Sequence, residues 1–268
     1  MRLIIHHKTH YRYDAAPKHL IQLLRLTPRA DAHQRVVDWQ ISTPGKQTAF
    51  IDAFGNPSQS HVMAAPRKEL DLIVHGTVDI QPLVSGALGP EEAGLGVPNI
   101  TYLLPTSLTE GFAALDALAK ATLPGGLHTE WDALALAKMV CQALPYAAGS
   151  TDVTSTAQQA FEVGSGVCQD HAHVMIAACR ALGVSARYVS GYVDPGSSRA
   201  GASHAWVDLW LNDHWISIDV TNEVFASHYH CRLAIGRDYL DACPVRGVRD
   251  GGHTEQLEVS VTVQTLEP

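Results

Sequence analysis

Residues 1–84 set apolar side chains in short runs and alternations punctuated by Pro, Gly and Asn. Leu3 to Tyr13, Val36 to Ile41, His61 to Met63 and Leu70 to Ile80 each predict a strand. Asp52-Ala53-Phe54-Gly55-Asn56-Pro57 predicts a turn, because Gly and Asn tolerate positive φ and Pro cannot continue a ladder. Residues 85–98, SGALGPEEAGLGVP, have no periodicity and read as a linker. Beyond it the spacing becomes helical. Ser107 to Lys120 and Thr129 to Leu144 repeat Ala and Leu every three or four residues, the second opening on a Thr129/Asp132 capping pair. A shorter helix is expected over Thr156 to Glu162, and another from Val167 to Leu182, stopped by Gly183.

Strands return at Ala186 to Val193, Ser203 to Leu211 and His214 to Thr221. The tail from Leu257 to Leu266 alternates without a break, Leu257, Val259, Val261 and Val263 against Glu258, Ser260, Thr262 and Gln264, which predicts a strand with one exposed face. Helices first and strands afterwards describe an α+β core over residues 99–268 rather than a doubly wound sheet, preceded by a β-rich N-terminal domain. No internal repeat is present.

Composition narrows the class. The chain of 268 residues is long enough to bury a core without disulfide staples, and its five cysteines are odd in number and contain no Cys-x-x-Cys pair, as in a reducing compartment. The opening MRLIIHHKTHYRY returns to polar residues too soon for a secretory segment, and no apolar run approaches the roughly 20 residues that cross a bilayer. The expectation is a soluble, cytoplasmic protein. A formal net charge of -8 gives no general attraction to nucleic acid or anionic lipid, so neither is an expected partner.

The chemistry concentrates in Gly164-Ser165-Gly166-Val167-Cys168-Gln169-Asp170-His171-Ala172-His173. Cys168 falls in the first turn of a helix, on the face shared with Ala172, Met175, Cys179 and Leu182. There the unpaired N–H groups and the positive end of the helix dipole favour a thiolate, and the same N–H groups can hold an oxyanion. Gly164 and Gly166 are expected to admit another backbone or a substrate. Cys141 and Cys179 sit in Ala-rich helical patterns and read as core residues.

A thiol nucleophile needs a base. In the alternating Ser203 to Leu211, His204, Trp206, Asp208 and Trp210 share one face, and Asn212-Asp213 reads as a two-residue hairpin loop leading to the next strand. That loop pairs Leu211 with His214 and places His204 opposite Thr221 and Trp206 opposite Asp219. Asp219 is then the diagonal neighbour of His204, at roughly 7–8 Å between Cβ atoms. Asp208 lies roughly 13 Å along the same strand. A loop one residue longer would turn Asp219 to the opposite face. A His backed by a carboxylate can take a thiol proton and hold the resulting charge.

Cys168, His171 and His173 could instead begin a zinc site completed by His228, His230 or Cys231. Helical phase opposes it, because His173 lies about 140° around the helix from Cys168. Neither metal nor cofactor is expected. His6, His7 and His10 read as surface histidines, and Trp206, Trp210 and Trp215 as core before cleft.

Gly166-Val167-Cys168-Gln169-Asp170-His171-Ala172-His173, Ala186-Arg187-Tyr188-Val189-Ser190-Gly191-Tyr192, Ser203-His204-Ala205-Trp206-Val207 and Ile218-Asp219-Val220-Thr221-Asn222 together resemble the bacterial transglutaminase-like family. His7-Lys8-Thr9-His10-Tyr11-Arg12-Tyr13, Leu24-Arg25-Leu26-Thr27-Pro28-Arg29 and Asp52-Ala53-Phe54-Gly55-Asn56 are similar to its β-rich N-terminal region. Gly236-Arg237-Asp238-Tyr239 and Pro244-Val245-Arg246-Gly247-Val248 are similar to its C-terminal stretch. The resemblance implies a papain-like core with Cys168 as nucleophile, His204 as general base and acid and Asp219 as orienting carboxylate, acting on a peptide or protein substrate. By analogy Tyr146 is an oxyanion or cleft-wall candidate. The sequence departs from the family at Val220, usually proline, and at Gly201-Ala202-Ser203, where an acidic residue often stands. The implied chemistry is a thioester resolved by water in a cysteine protease or amidase, the preferred expectation, or by an amine in a transglutaminase. A non-catalytic peptide-binding module on the same fold is the other class. No calcium-binding motif is visible.

Overall fold

The computed structural model describes residues 1–89, 96–194 and 202–266. The N-terminal half supplies β1 (Arg2–Tyr13), β2 (His19–Leu24), β3 (Gln34–Ser42), β4 (Lys46–Ile51), β5 (Pro57–Met63) and β6 (Glu69–Ile80). After a short 3-10 turn at Asn99–Leu103 come α1 (Ala113–Thr122), α2 (Glu130–Ala143), α3 (Ala157–Val163) and α4 (Cys168–Ala181). They lead into β7 (Ala186–Val193), β8 (Ala202–Leu211), β9 (His214–Asp219), β10 (Val224–Phe225) and β11 (His230–Gly236), then α5 (Tyr239–Ala242), β12 (Val245–Asp250) and β13 (Glu255–Leu266). The protein is α+β, with helices packed on an antiparallel sheet and a β-rich N-terminal region.

That sheet runs in the order β10-β9-β8-β7-β11. The helices start where the sequence provides caps: Thr129 accepts the Asp132 N–H in a capping box, and Thr156 does the same with Gln159. The first helix begins later than its periodicity predicts, at Ala113, since residues 107–112 form turns and extended backbone. The fourth is buried on every side over residues 169–179, so it is the central helix and not an amphipathic cover. Its Met175 and Ile176 share a core with Leu136 and Val140 of α2 and with Val207, Leu209 and Ile218 of the sheet.

The other two sheets draw on both ends of the chain. One has the order β13-β1-β6-β3 and the other β12-β2-β5-β4. The last two strands, within the stretch expected to form the second domain, therefore lie beside β1 and β2 and complete the N-terminal sheets. Leu3, Ile5, Leu72 and Val74 pack against Tyr192, Cys231 and Leu233, which seats the first of these sheets on β7 and β11. The Asp52–Pro57 turn is present: Asp52 Oδ1 accepts the N–H groups of Phe54 and Asn56, and Gly55 adopts φ 76°. The fully buried Asn56 at its end brackets Ile235 of β11, donating to the carbonyl at 2.8 Å and accepting the N–H at 2.9 Å. Within the expected linker, Ala87 bridges to Ile216 and the Leu88 N–H reaches the Trp215 carbonyl, so this part runs along β9. Residues 90–95 of the linker lie outside the described residues.

Candidate active site

The Cys168 thiol is presented by a sharp approach to α4. Gly164 ends α3 in the left-handed conformation, φ 71°, with no atom within 4 Å of where its Cβ would stand. At Gly166 a Cβ would lie 2.7 Å from the Cβ of Asp170. Gly164 thus serves helix termination, and Gly166 seats Asp170 and admits another backbone, as expected: its N–H reaches the Pro145 carbonyl and its carbonyl accepts the Ala147 N–H. The Asp170 carboxylate accepts the Val167 N–H at 2.8 Å and the Thr151 hydroxyl at 2.6 Å, fixing the entry to the helix. Val167, at the N-cap, contributes no side-chain acceptor to the first turn. Cys168 is partly exposed and opens into a cleft of about 430 Å³.

The opposing histidine comes from the β8–β9 hairpin. Asn212 and Asp213 adopt φ 50° and 64°, a type I′ turn, and Leu211 pairs with His214 as expected. His204 Nε2 lies 2.9 Å from Asp219 Oδ2, with the His204 side chain 9% exposed and the Asp219 side chain 0% exposed. Cys168 and His204 line the same cleft, and the thiol acts with Asp219 to raise the pKa of the imidazole. Gly201 of the divergent Gly-Ala-Ser stretch lies outside the described residues.

Asp219 serves more than His204. Its Oδ2 also accepts from His230 Nε2 at 3.0 Å and from Asn222 Nδ2 at 2.6 Å, and its Oδ1 accepts the Asn222 N–H at 3.2 Å. The Ser227 N–H donates to His230 Nδ1 at 3.2 Å, which puts the ring proton on Nε2, facing the carboxylate. From sequence His230 was only a possible zinc ligand and Asn222 had no role. The Asn three residues after Asp is a local signal for the latter, whereas His230 reaches Asp219 only through sheet pairing.

These contacts set the charge state. Burial by itself would raise the Asp219 pKa, but hydrogen bonds from His204 and His230 hold it far below the usual carboxylate range. Burial would lower that of His204, yet its bonds to Asp219 and Cys168 overcome this and raise it to about 10. The site therefore favours the imidazolium form of His204 at neutral pH. Elsewhere burial pushes the Cys141 thiol up to about 11, and Cys179 and Cys231 higher still.

The remaining candidates are occupied otherwise. His171 contacts the Leu144 carbonyl and the Thr221 hydroxyl, His173 accepts the Tyr239 N–H, and Cys231 lies in the apolar core. Among the described residues no group of His, Cys, Asp and Glu is placed to hold a metal ion, and no helix is long and apolar enough to cross a membrane. Asp208 forms buried ion pairs with Arg187 and Arg232, at 2.8 and 2.5 Å. Trp206 and Trp215 are core residues. His7 is buried, contrary to the surface reading of the histidine cluster, and bonds the Tyr192 and Thr9 hydroxyls. Tyr146 packs its ring near His171 but does not line the cleft.

A helix-borne thiol facing a strand histidine backed by a buried carboxylate, on this α+β core, defines the papain-like class. Residues 116–220 match the transglutaminase-like superfamily and residues 3–79 the bacterial transglutaminase-like N-terminal region. An uncharacterized protein of Mycobacterium leprae is 30% identical over 278 residues, covering 99% of both chains. The chain belongs to the transglutaminase-like superfamily, which is enzymatic. Its fold is similar to that of a putative cysteine protease from Cytophaga hutchinsonii, with a TM-score of 0.81 at 21% identity over 100% of this chain and 91% of that one. A protein-glutamine gamma-glutamyltransferase of Pseudomonas aeruginosa is 36% identical over 105 residues, 34% of this chain and 16% of that protein.

Proposed function

We propose that the protein is a cysteine hydrolase of amide or peptide bonds, with Cys168 as nucleophile, His204 as base and acid and Asp219 as the group that orients His204. One observation carries this reading: His204 lines one cleft with the Cys168 thiol while its Nε2 is held 2.9 Å from the buried Asp219 carboxylate. The thiolate attacks the carbonyl carbon, and the free N–H groups at the start of α4 stabilise the oxyanion. The His204 imidazolium passes its proton to the leaving amine as the C–N bond breaks, leaving a thioester. His204 then takes a proton from water, whose oxygen attacks the thioester carbonyl; the C–S bond breaks, releasing a carboxylic acid and restoring the thiolate and imidazolium.

Aminolysis is the second reading, favoured by the similarity to the glutamyltransferase. Mass spectrometry of a glutamine-containing peptide pool, with and without a primary amine, separates the two. Cleavage or deamidation independent of the amine is expected, and predominant amine incorporation would move the assignment to a transglutaminase. If iodoacetamide labels Cys168 no faster than Cys141 and His204→Ala changes nothing, the site is not catalytic and a binding module remains.

A further inference from the structure

The cleft over Cys168 has walls of two kinds. One comes from the helical half, including Tyr188 and Tyr239; the other is the inner face of the N-terminal sheet where β1 and β13 run side by side. Along β13 that face changes character. Val263 is buried, Val261 packs against the core, and then Val259 and Leu257 stand 49% and 56% exposed beside the cleft. Scattered exposed apolar residues need no explanation, but two in succession on the inward face of a strand, at a concave site holding a thiol, mark a surface that a ligand covers.

Charge points the same way. Among the described residues no Asp, Glu, Lys or Arg lines the cleft. Its titratable groups other than Cys168 and His204 are uncharged near neutral pH: burial holds the pKa of His7 down to about 4 and pushes that of Tyr239 up to about 12. Away from the Cys168–His204 pair, a charged side chain entering this space would lose water and find no counter-ion along the cleft wall.

We propose that the acyl donor carries an uncharged, apolar side chain within two residues of its reacting carbonyl, seated against Leu257 and Val259. This rests on Cys168 being the nucleophile. The N-terminal sheet is then the selective half of the site, reading the substrate that the other half cleaves.

A series of short peptidyl chloromethyl ketones tests it, differing only in whether Leu, Phe, Asp or Lys stands at the first or second position from the ketone. Alkylation of Cys168 forms the C–S bond and releases chloride, so no acceptor is involved. Each rate is expressed relative to iodoacetamide on the same protein. At one of the two positions Leu and Phe are expected to react about tenfold or more faster than Asp and Lys. In Val259→Lys and Leu257→Glu, each checked for an unchanged melting temperature, that advantage is expected to shrink and the reagent of opposite charge to gain. Equal or faster reaction of Asp or Lys reagents, or an unaltered preference in both variants, overturns the proposal while leaving the nucleophile in place. Iodoacetamide labelling of Cys168 no faster than of Cys141 removes the nucleophile, and the inference with it.

Discussion

Asp219→Asn changes one atom of the side chain and reverses its role. The carboxylate accepts four hydrogen bonds, from His204, His230, the Asn222 side chain and the Asn222 backbone. An amide can accept at one oxygen only: with its NH₂ group at the Oδ1 position the Asn222 backbone N–H is left facing it, a cost of about 1–3 kcal/mol, and in the opposite orientation three donors are. The effect on charge is larger. His204, raised to about 10, would fall back toward the ordinary 6.5. At pH 7.5 the protonated fraction of the ring would then drop from nearly complete to about one tenth. The assay is alkylation of Cys168 by iodoacetamide from pH 6 to 9, read by peptide mass spectrometry with Cys141 in the same digest as the internal comparison. The wild type is expected to label Cys168 rapidly across the range, and the variant to lose about tenfold in rate near pH 7.5. An unchanged pH profile in a folded variant would refute the account of Asp219 as the group that holds the imidazolium.

Other expectations follow from the same contacts. Asp208→Asn leaves the buried Arg187 and Arg232 without their carboxylate and should destabilise the fold by about 3–5 kcal/mol in urea unfolding. Gly191→Ala would put a Cβ 2.1 Å from the Cys231 carbonyl oxygen and 2.4 Å from the Trp206 ring, so a marked fall in melting temperature is expected. Histidine NMR should find His7 and His33 titrating near 4, both lowered chiefly by burial, and His204 near 10. For His7 and His33 the unfolded chain binds more protons between about 4 and 6.5, so they subtract stability as pH falls through that window. The contribution of His204 is full below about 6.5 and is lost as pH rises toward about 10, which the pH dependence of unfolding in wild type and His204→Ala would reveal.

Much of the site was legible because its geometry is local. A two-residue loop fixes hairpin register, and register alone brings Asp219 beside His204; helical phase alone turns His173 away from Cys168. What escaped depends on distant segments. His230 meets Asp219 because β11 pairs with β7, and nothing in its own neighbourhood announces it. The fourth strand, Lys46–Ile51, is exposed along almost its whole length at a sheet edge, so it lacks the alternation that marks a half-buried strand. The tail did alternate, and its strand is present, but its apolar face points partly into the cleft and its partner is the first strand of the chain. Gly166 shows what short range can and cannot tell, since a Gly-x-Gly before a cysteine suggests the approach of another backbone or a substrate, and only the fold shows that the Pro145–Ala147 backbone and the Asp170 side chain pack there.

The pairing of β1 with β13 has a consequence in time. Tyr11 faces Leu257 and Thr9 faces Val259, pairs separated by nearly the whole chain. During synthesis, at about 5–20 residues per second, the thiol, its histidine and its aspartate have all emerged before the strand that walls their cleft. A nascent or C-terminally clipped chain would carry the reactive groups without the surface that chooses what they meet. Completion of the last strand is thus the step at which nucleophile and selectivity first coexist.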